Sequence, residues 1–401
     1  MLGLALEGGG AKGAFHMGAF KAFLEEGYEF HGVAGTSIGA INGAIIAQGD
    51  FEAGYKLWET MDNTLLFDIE QMQLQKIVDR KIDKEAIAYL TAKIKEVIDN
   101  KGLDTGKMRA IIEGIIDEDK LRKSKVDLGI VTVSIPDLKP LELYKEDIPE
   151  GKMVAYLMAS ANFPVFKIEP LEGKFYIDGA FYDNCPVDLL ARKGYEEVIA
   201  IRTFGPGKIR KVDYENVKVT SIIPSESLGR VLNFDSSIIH TNLSLGYCAA
   251  MRAIKHLDGR KYYIYPVNSE TVFSSLAALP EEKIVKIGEI MSLPKMDPKR
   301  LLFEQVMPAL SQLLDLPPSA GYQDILVGVL ESVAEDLDIE KHKLRKLNDF
   351  LEEIKNEEKS NSPAAHTKRM SILTSVFSGE TVLKKAASEL LNALQPEHFA
   401  V

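Results

Sequence analysis

The hydrophobic positions at the start of the chain change period twice. Leu2, Leu4, Ala5 and Leu6 make a short apolar run that stops at Gly8, Gly9 and Gly10. From Ala11 to Glu26, Ala14, Phe15, Ala19, Ala22 and Phe23 recur at roughly helical spacing, and Val33-Ala34 then opens a second short run that stops at Gly35. The pattern predicts strand, helix, strand. A right-handed crossover lays two such strands parallel and side by side, so their carboxyl ends open on one edge of the sheet.

Further strands are expected at Val126 to Ile135 and Pro140 to Tyr144, joined through Pro136-Asp137, and at Glu197 to Thr203, Val217 to Ile223 and Lys261 to Val267. Between Asp62 and Arg122, residues such as Ile87, Leu90, Ile94, Val97 and Ile98 alternate with charges at helical spacing and predict helices over one sheet face. Helices are expected at Gly151 to Ala161 and Phe234 to His256. From about Pro298 the strand signals fade, and Leu301 to Leu314, Asp324 to Leu337 and Lys341 to Glu358 read as successive helices. A last one, Thr381 to Leu394, lines up Leu383, Ala387, Leu390, Leu391 and Leu394 on a face suited to core packing or to a membrane or partner. The heptad-like Leu344, Leu347, Leu351 and Ile354 span under two heptads, too few for a coiled coil.

The chemistry concentrates at the ends of the first two strands. Glycines there let backbone N–H groups approach a ligand, and the following helix N-terminus adds positive potential, which suits an alkoxide or a phosphate. Gly35-Thr36-Ser37-Ile38-Gly39 fits the nucleophile elbow G-x-S-x-G, in which a tight strand-to-helix turn exposes the serine hydroxyl. Gly8, Gly10 and Gly13 also satisfy the dinucleotide fingerprint, but that reading wants an acid where this chain has Gly35-Thr36-Ser37. A P-loop fails on the order Lys12-Gly13-Ala14.

A serine nucleophile needs a base. Histidines stand at 16, 31, 240, 256, 342, 366 and 398, none in a segment of active-site character. Asp178 is the better candidate, because Lys174 to Ile177 is an apolar, aromatic run that breaks into Asp178-Gly179-Ala180 as the end of a strand would. Asp183 reads as a turn or helix-start residue.

In this order, Gly8-Gly9-Gly10-Ala11-Lys12-Gly13, Gly35-Thr36-Ser37-Ile38-Gly39 and Asp178-Gly179-Ala180 resemble the three signatures of the patatin-like phospholipases. Ser160 to Phe166 and Asp183-Asn184-Cys185-Pro186-Val187 are similar to that family's pattern as well, and the resemblance runs to about Val267. It implies a three-layer α/β/α sandwich with a mostly parallel central sheet, here followed by a C-terminal helical region, with domains at 1–275 and 276–401. It implies a Ser/Asp dyad of Ser37 and Asp178, and an oxyanion hole of backbone N–H groups at Gly8, Gly9, Gly10 and Ile38. Lys12, Gly13, Gly35, Gly39, Gly179 and Ala180 would support these motifs. The implied activity is hydrolysis of acyl esters of phospholipids or lysophospholipids through an acyl-enzyme, with no metal and no cofactor. An acyltransferase, or a scaffold whose helical tail binds a partner, is the alternative. Glu7 stands where many relatives have Asp, and Lys12, where many have Arg, keeps the charge without the planar fork. An unperturbed Asp is a poor base at neutral pH, so Asp178 is expected to be partly buried.

Composition narrows the setting. With 401 residues, 46% of them hydrophobic, the chain can bury one large core and an accessory region. Two cysteines, Cys185 and Cys248, make no disulfide framework. No secretory signal or uninterrupted apolar stretch near membrane-spanning length is visible, so a cytoplasmic enzyme, peripheral at a membrane surface, is expected. A net charge of −11 argues against nucleic acid and against simple electrostatic docking on anionic lipid. Lipid access then depends on apolar loops or a local feature. Oligomers through the C-terminal helices stay open.

Overall fold

The computed structural model describes residues 1–68, 102–135, 137–167, 169–211, 216–360 and 379–399. They fall into two compact units, Met1–Met251 and Arg252–Val401.

The first unit is built on a seven-stranded sheet: β1 (Leu2–Leu6), β2 (Gly32–Thr36), β3 (Asp127–Ile135), β4 (Pro140–Tyr144), β5 (Phe175–Asp178), β6 (Glu197–Ile201) and β7 (Lys218–Ile222). The order β4-β3-β2-β1-β6-β7 puts the N-terminal strand in the middle, with β5 paired to β3. Strands β7, β6, β1, β2 and β3 run parallel, while β4 and β5 are antiparallel to β3. Side chains on β1 alternate between faces. Gly3 and Ala5 meet Leu190 and Tyr195, within and just after the helix Val187–Arg192, whereas Leu6 meets the helix Ile38–Ala47 near Gly43. Helices therefore cover both faces, which is the expected three-layer architecture.

Register along β3 brings two distant segments together. Strand β2 pairs with β3 as far as Thr36 opposite Val131, and β5 takes up with Asp178 opposite Thr132. Because β4 occupies the other edge at Thr132 and Val133, β5 continues the edge that β2 leaves. Asp178 thus stands one rung beyond Thr36, next to Ser37.

The second unit is helical, with Ser269–Ala277, Glu281–Ile290, Met307–Leu313, Tyr322–Asp336, Leu347–Ser360 and Gly379–Ala393 around one apolar core. Leu383, Ala387, Leu390, Leu391 and Leu394 are buried in that core, which favours packing as the role of the last helix's apolar face. Three expectations need correction. The segment Lys261 to Val267 adds no strand to the main sheet: only Tyr263–Ile264 is extended, and it pairs with Leu344–Arg345 inside the second unit. The helix expected from Lys341 begins at Leu347, because residues 344 and 345 are held in that ladder. The helices Ser269–Ala277 and Glu281–Ile290 were not anticipated, although Asn268 caps the first through the Glu270 amide and Pro280 precedes the second. Tyr262, Ile264 and Val272 pack in this helical core, so the division at Met251 lies before the boundary of 275 expected from sequence. The helices expected around Ile87 to Ile98 lie outside the described residues.

Candidate active site

The turn after β2 is sharp. Ser37 has φ 58° and ψ −128°, a region that non-glycine residues occupy only when the surroundings hold them there. Two contacts do so. Its amide donates to the Ser160 hydroxyl at 3.0 Å, which in turn donates to the Val131 carbonyl at 2.7 Å. On either side, the backbone comes too close for side chains. A Cβ on Gly35 would lie 2.2 Å from the Gly39 backbone, and one on Gly39 would lie 2.3 Å from the Leu6 carbonyl. The Asp178 carboxylate lines the same cavity as Ser37 and accepts the Ala180 amide at 2.9 Å.

Asp178 is buried, 1% exposed. Burial is the largest influence on it and outweighs the Ser37 hydroxyl and the Ala180 amide, which favour its charged form, so its pKa rises to about 7. Its amide donates to the Asn162 carbonyl at 3.0 Å, and Asn162 Nδ2 donates to the Tyr176 carbonyl at 2.8 Å, which pins the strand end.

The glycine loop faces this pair, and its parts have separate duties. The Gly8 amide donates to the Asn184 carbonyl at 3.0 Å, which removes Gly8 from the donors expected to face the oxyanion. Gly9, Gly10 and Ile38 line the same cavity as Ser37 and Asp178, and among the described residues their amides are not engaged elsewhere. Gly10 has φ 58°, and a Cβ there would lie 2.1 Å from the Val231 carbonyl. Lys12 donates from Nζ to the Phe204 carbonyl at 3.1 Å, and Gly13 accepts from Asn42 Nδ2 at 2.9 Å. A Cβ on Gly179 would lie 2.2 Å from the Val131 carbonyl, so the Asp178-Gly179 corner packs against β3. Ala180 lines the cavity.

Glu7, at the end of β1, is a clamp. Its Oε2 accepts from Arg202 Nε at 2.9 Å and from the Thr203 and Phe204 amides at 2.7 and 3.1 Å. Behind the loop, Trp58 Nε1 donates to Asn42 Oδ1 at 3.0 Å, and Asn42 Nδ2 stands 3.3 Å from His16 Nδ1. Complete burial lowers the His16 pKa to about 3. Among the described residues no histidine lines the cavity. Asp183 is buried too, with its pKa pushed up to about 6 by burial, but its carboxylate accepts the Cys185 and Arg210 amides and does not line the cavity.

Apart from Asn184, the rest of the cavity is apolar. Met108, Phe163, Phe166, Val231, Leu232 and Phe234 reach it from separate segments. Sequence reasoning missed these, along with the Ser160 bridge and the Glu7 clamp. Among the described residues, no group of three or more His, Cys, Asp or Glu side chains gathers at metal-binding spacing. No helix among them is long and apolar enough to cross a membrane.

Residues 4–191 match the family model described as patatin-like phospholipase. An uncharacterized NTE family protein of Mycobacterium tuberculosis is 46% identical over 203 residues, 50% of this chain and 49% of that one. A patatin-like phospholipase domain-containing protein of Caenorhabditis elegans is 24% identical over 307 residues, 72% of this chain and 20% of that protein. The chain thus spans a fifth to a half of these relatives. Among solved structures, VipD from Legionella pneumophila aligns over 98% of this chain and 90% of its own, at 16% identity and a TM-score of 0.40. Over residues 4–191 this chain thus matches the patatin-like phospholipase family, and NTE-family sequence is among what it is similar to.

Proposed function

We propose that this chain is a lipid acyl hydrolase that works through Ser37 and Asp178. The observation that carries the reading is the placing of Ser37 and the buried Asp178 carboxylate together at the wall of one largely apolar cavity. A carboxylate with a pKa near 7 is matched to proton transfer at neutral pH.

In the first step Ser37 Oγ attacks the ester carbonyl carbon as its proton passes to Asp178. The tetrahedral oxyanion then meets amides drawn from Gly9, Gly10 and Ile38, held without reorganisation by the strained turn and the Glu7 clamp. Collapse breaks the bond to the alcohol, which leaves with the proton from Asp178, and Ser37 keeps the acyl group. Water, giving its proton to Asp178, attacks the acyl-enzyme and releases the acid. Apolar walls suit the acyl chain, and the family supports phospholipids or lysophospholipids as the substrate class.

The test is turnover of soluble esters and phospholipids with product identification by mass. Ser37→Ala and Asp178→Asn should each abolish release of free fatty acid while the fold persists. Retained activity in either variant sinks the assignment, and an acylated acceptor without free acid would mark a transferase.

A further inference from the structure

We propose that the loop after β6, residues 203 to 211, is the element that docks this chain on an anionic lipid surface; the inference deepens the hydrolase reading and rests on it. Pro206 lines the cavity that holds Ser37, so the loop borders the site.

Its sequence sets it apart. Between Arg202 and Lys211 there are four cations and no acid, in a chain whose net charge is −11. Arg202 is committed to Glu7, and Arg210 donates to the Tyr182 hydroxyl at 2.5 Å. Lys208 and Lys211 are exposed. Between and before them stand two apolar side chains in water, Ile209 at 45% and Phe204 at 57% exposure.

Phe204 is the informative one. Its φ is 49°, in the left-handed region where an aromatic residue is a rare and strained occupant. The Glu7 carboxylate holds its amide and Lys12 holds its carbonyl, each at 3.1 Å, while the Arg202 guanidinium lies 5.6 Å from the ring centroid. A strained backbone therefore presents a large ring outside the core, in water, with the Arg202 guanidinium beside it. A partner that takes up both an apolar ring and ammonium groups recovers that cost. An anionic bilayer does so, since the ring and Ile209 enter the acyl boundary while Lys208 and Lys211 meet headgroup phosphates. Repulsion from the rest of the chain then leaves this face as the favoured one.

The test is co-sedimentation of the full chain, carrying Ser37→Ala so that lipid is not consumed, with phosphatidylcholine vesicles with and without phosphatidylglycerol. The parent should partition preferentially to the anionic vesicles, and salt should weaken it. Lys208→Gln with Lys211→Gln should lower partitioning about 30-fold. Phe204→Asn with Ile209→Ser should lower it about tenfold, asparagine being chosen because it tolerates positive φ. In chains with Ser37 intact, the lysine variant should hydrolyse p-nitrophenyl butyrate as the parent does, and the Phe204→Asn, Ile209→Ser variant should keep the parent's circular dichroism and thermal midpoint, which controls for folding. Partitioning unchanged in the variants, or a parent with no preference for anionic vesicles, overturns the proposal. Absence of butyrate turnover in the unaltered chain would strike the hydrolase reading instead and leave the vesicle result standing.

Discussion

The Ser160 hydroxyl accepts the Ser37 amide at 3.0 Å and so holds the elbow from beneath. Without it the amide of a strained residue loses its acceptor. Ser160→Ala should lower kcat for a soluble ester about tenfold with KM little changed, the effect of one hydrogen bond at the reacting residue. An unchanged kcat would show that the Gly35 and Gly39 contacts hold Ser37 alone.

With Asp178 as the proposed base, its pKa of about 7 should set the pH profile. The base must be ionised, so kcat/KM should rise as pH increases and level off above about 7. A plateau already reached near pH 5 would mean that Asp178 is not the group being titrated.

Stability should respond to the same carboxyl with a defined sign. Its folded pKa is raised above the unfolded value of about 3.9, so the folded state loses stability as pH climbs from about 4 to about 7 and stays level beyond. Asp178→Asn should therefore raise the thermal midpoint at pH 8, by up to about 4 kcal/mol of stability, and leave it nearly unchanged at pH 4. Equal shifts at both pH values would contradict this.

His16 acts in the opposite direction. Its folded pKa, about 3, lies below the ordinary value of 6.5, so the stability present above 6.5 drains away as pH falls toward 3. Trp58 is the chain's one tryptophan and shares Asn42 with His16, so its fluorescence should report the acid transition. A signal that is flat down to pH 3 would refute the link.

The cavity wall should set acyl preference. Met108→Trp narrows it, and the ratio of kcat/KM for octanoyl over butyryl esters should fall at least about tenfold, in line with the worth of one or two methylenes. An unaltered ratio would place the acyl chain elsewhere.

Legibility from sequence followed locality. The ends of β1 and β2, the elbow and the Asp178-Gly179 corner are each written in five or six consecutive residues, and glycines mark them because backbone meets backbone there. The handover from β2 to β5 along β3 depends on pairing between residues 95 positions apart for β2 with β3 and 40 to 46 apart for β3 with β5, which no local pattern encodes. The same holds for the cavity wall, whose residues from Met108 to Phe234 read locally as ordinary core. Gly8 looked equivalent to Gly9, and only the approach of Asn184 distinguishes them. Leu344 and Arg345 fit a helical period, yet a partner eighty residues earlier draws them into a ladder.

The central place of β1 carries a cost in synthesis. Leu2 to Leu6 are made well before Glu197 to Ile201, for which one of their two edges waits. At ordinary elongation rates that interval is roughly 10–40 s, during which a buried apolar strand has an open edge outside the ribosome. The chain therefore invites a holding chaperone during translation, and a truncation just before β6 should aggregate where one just after it should not.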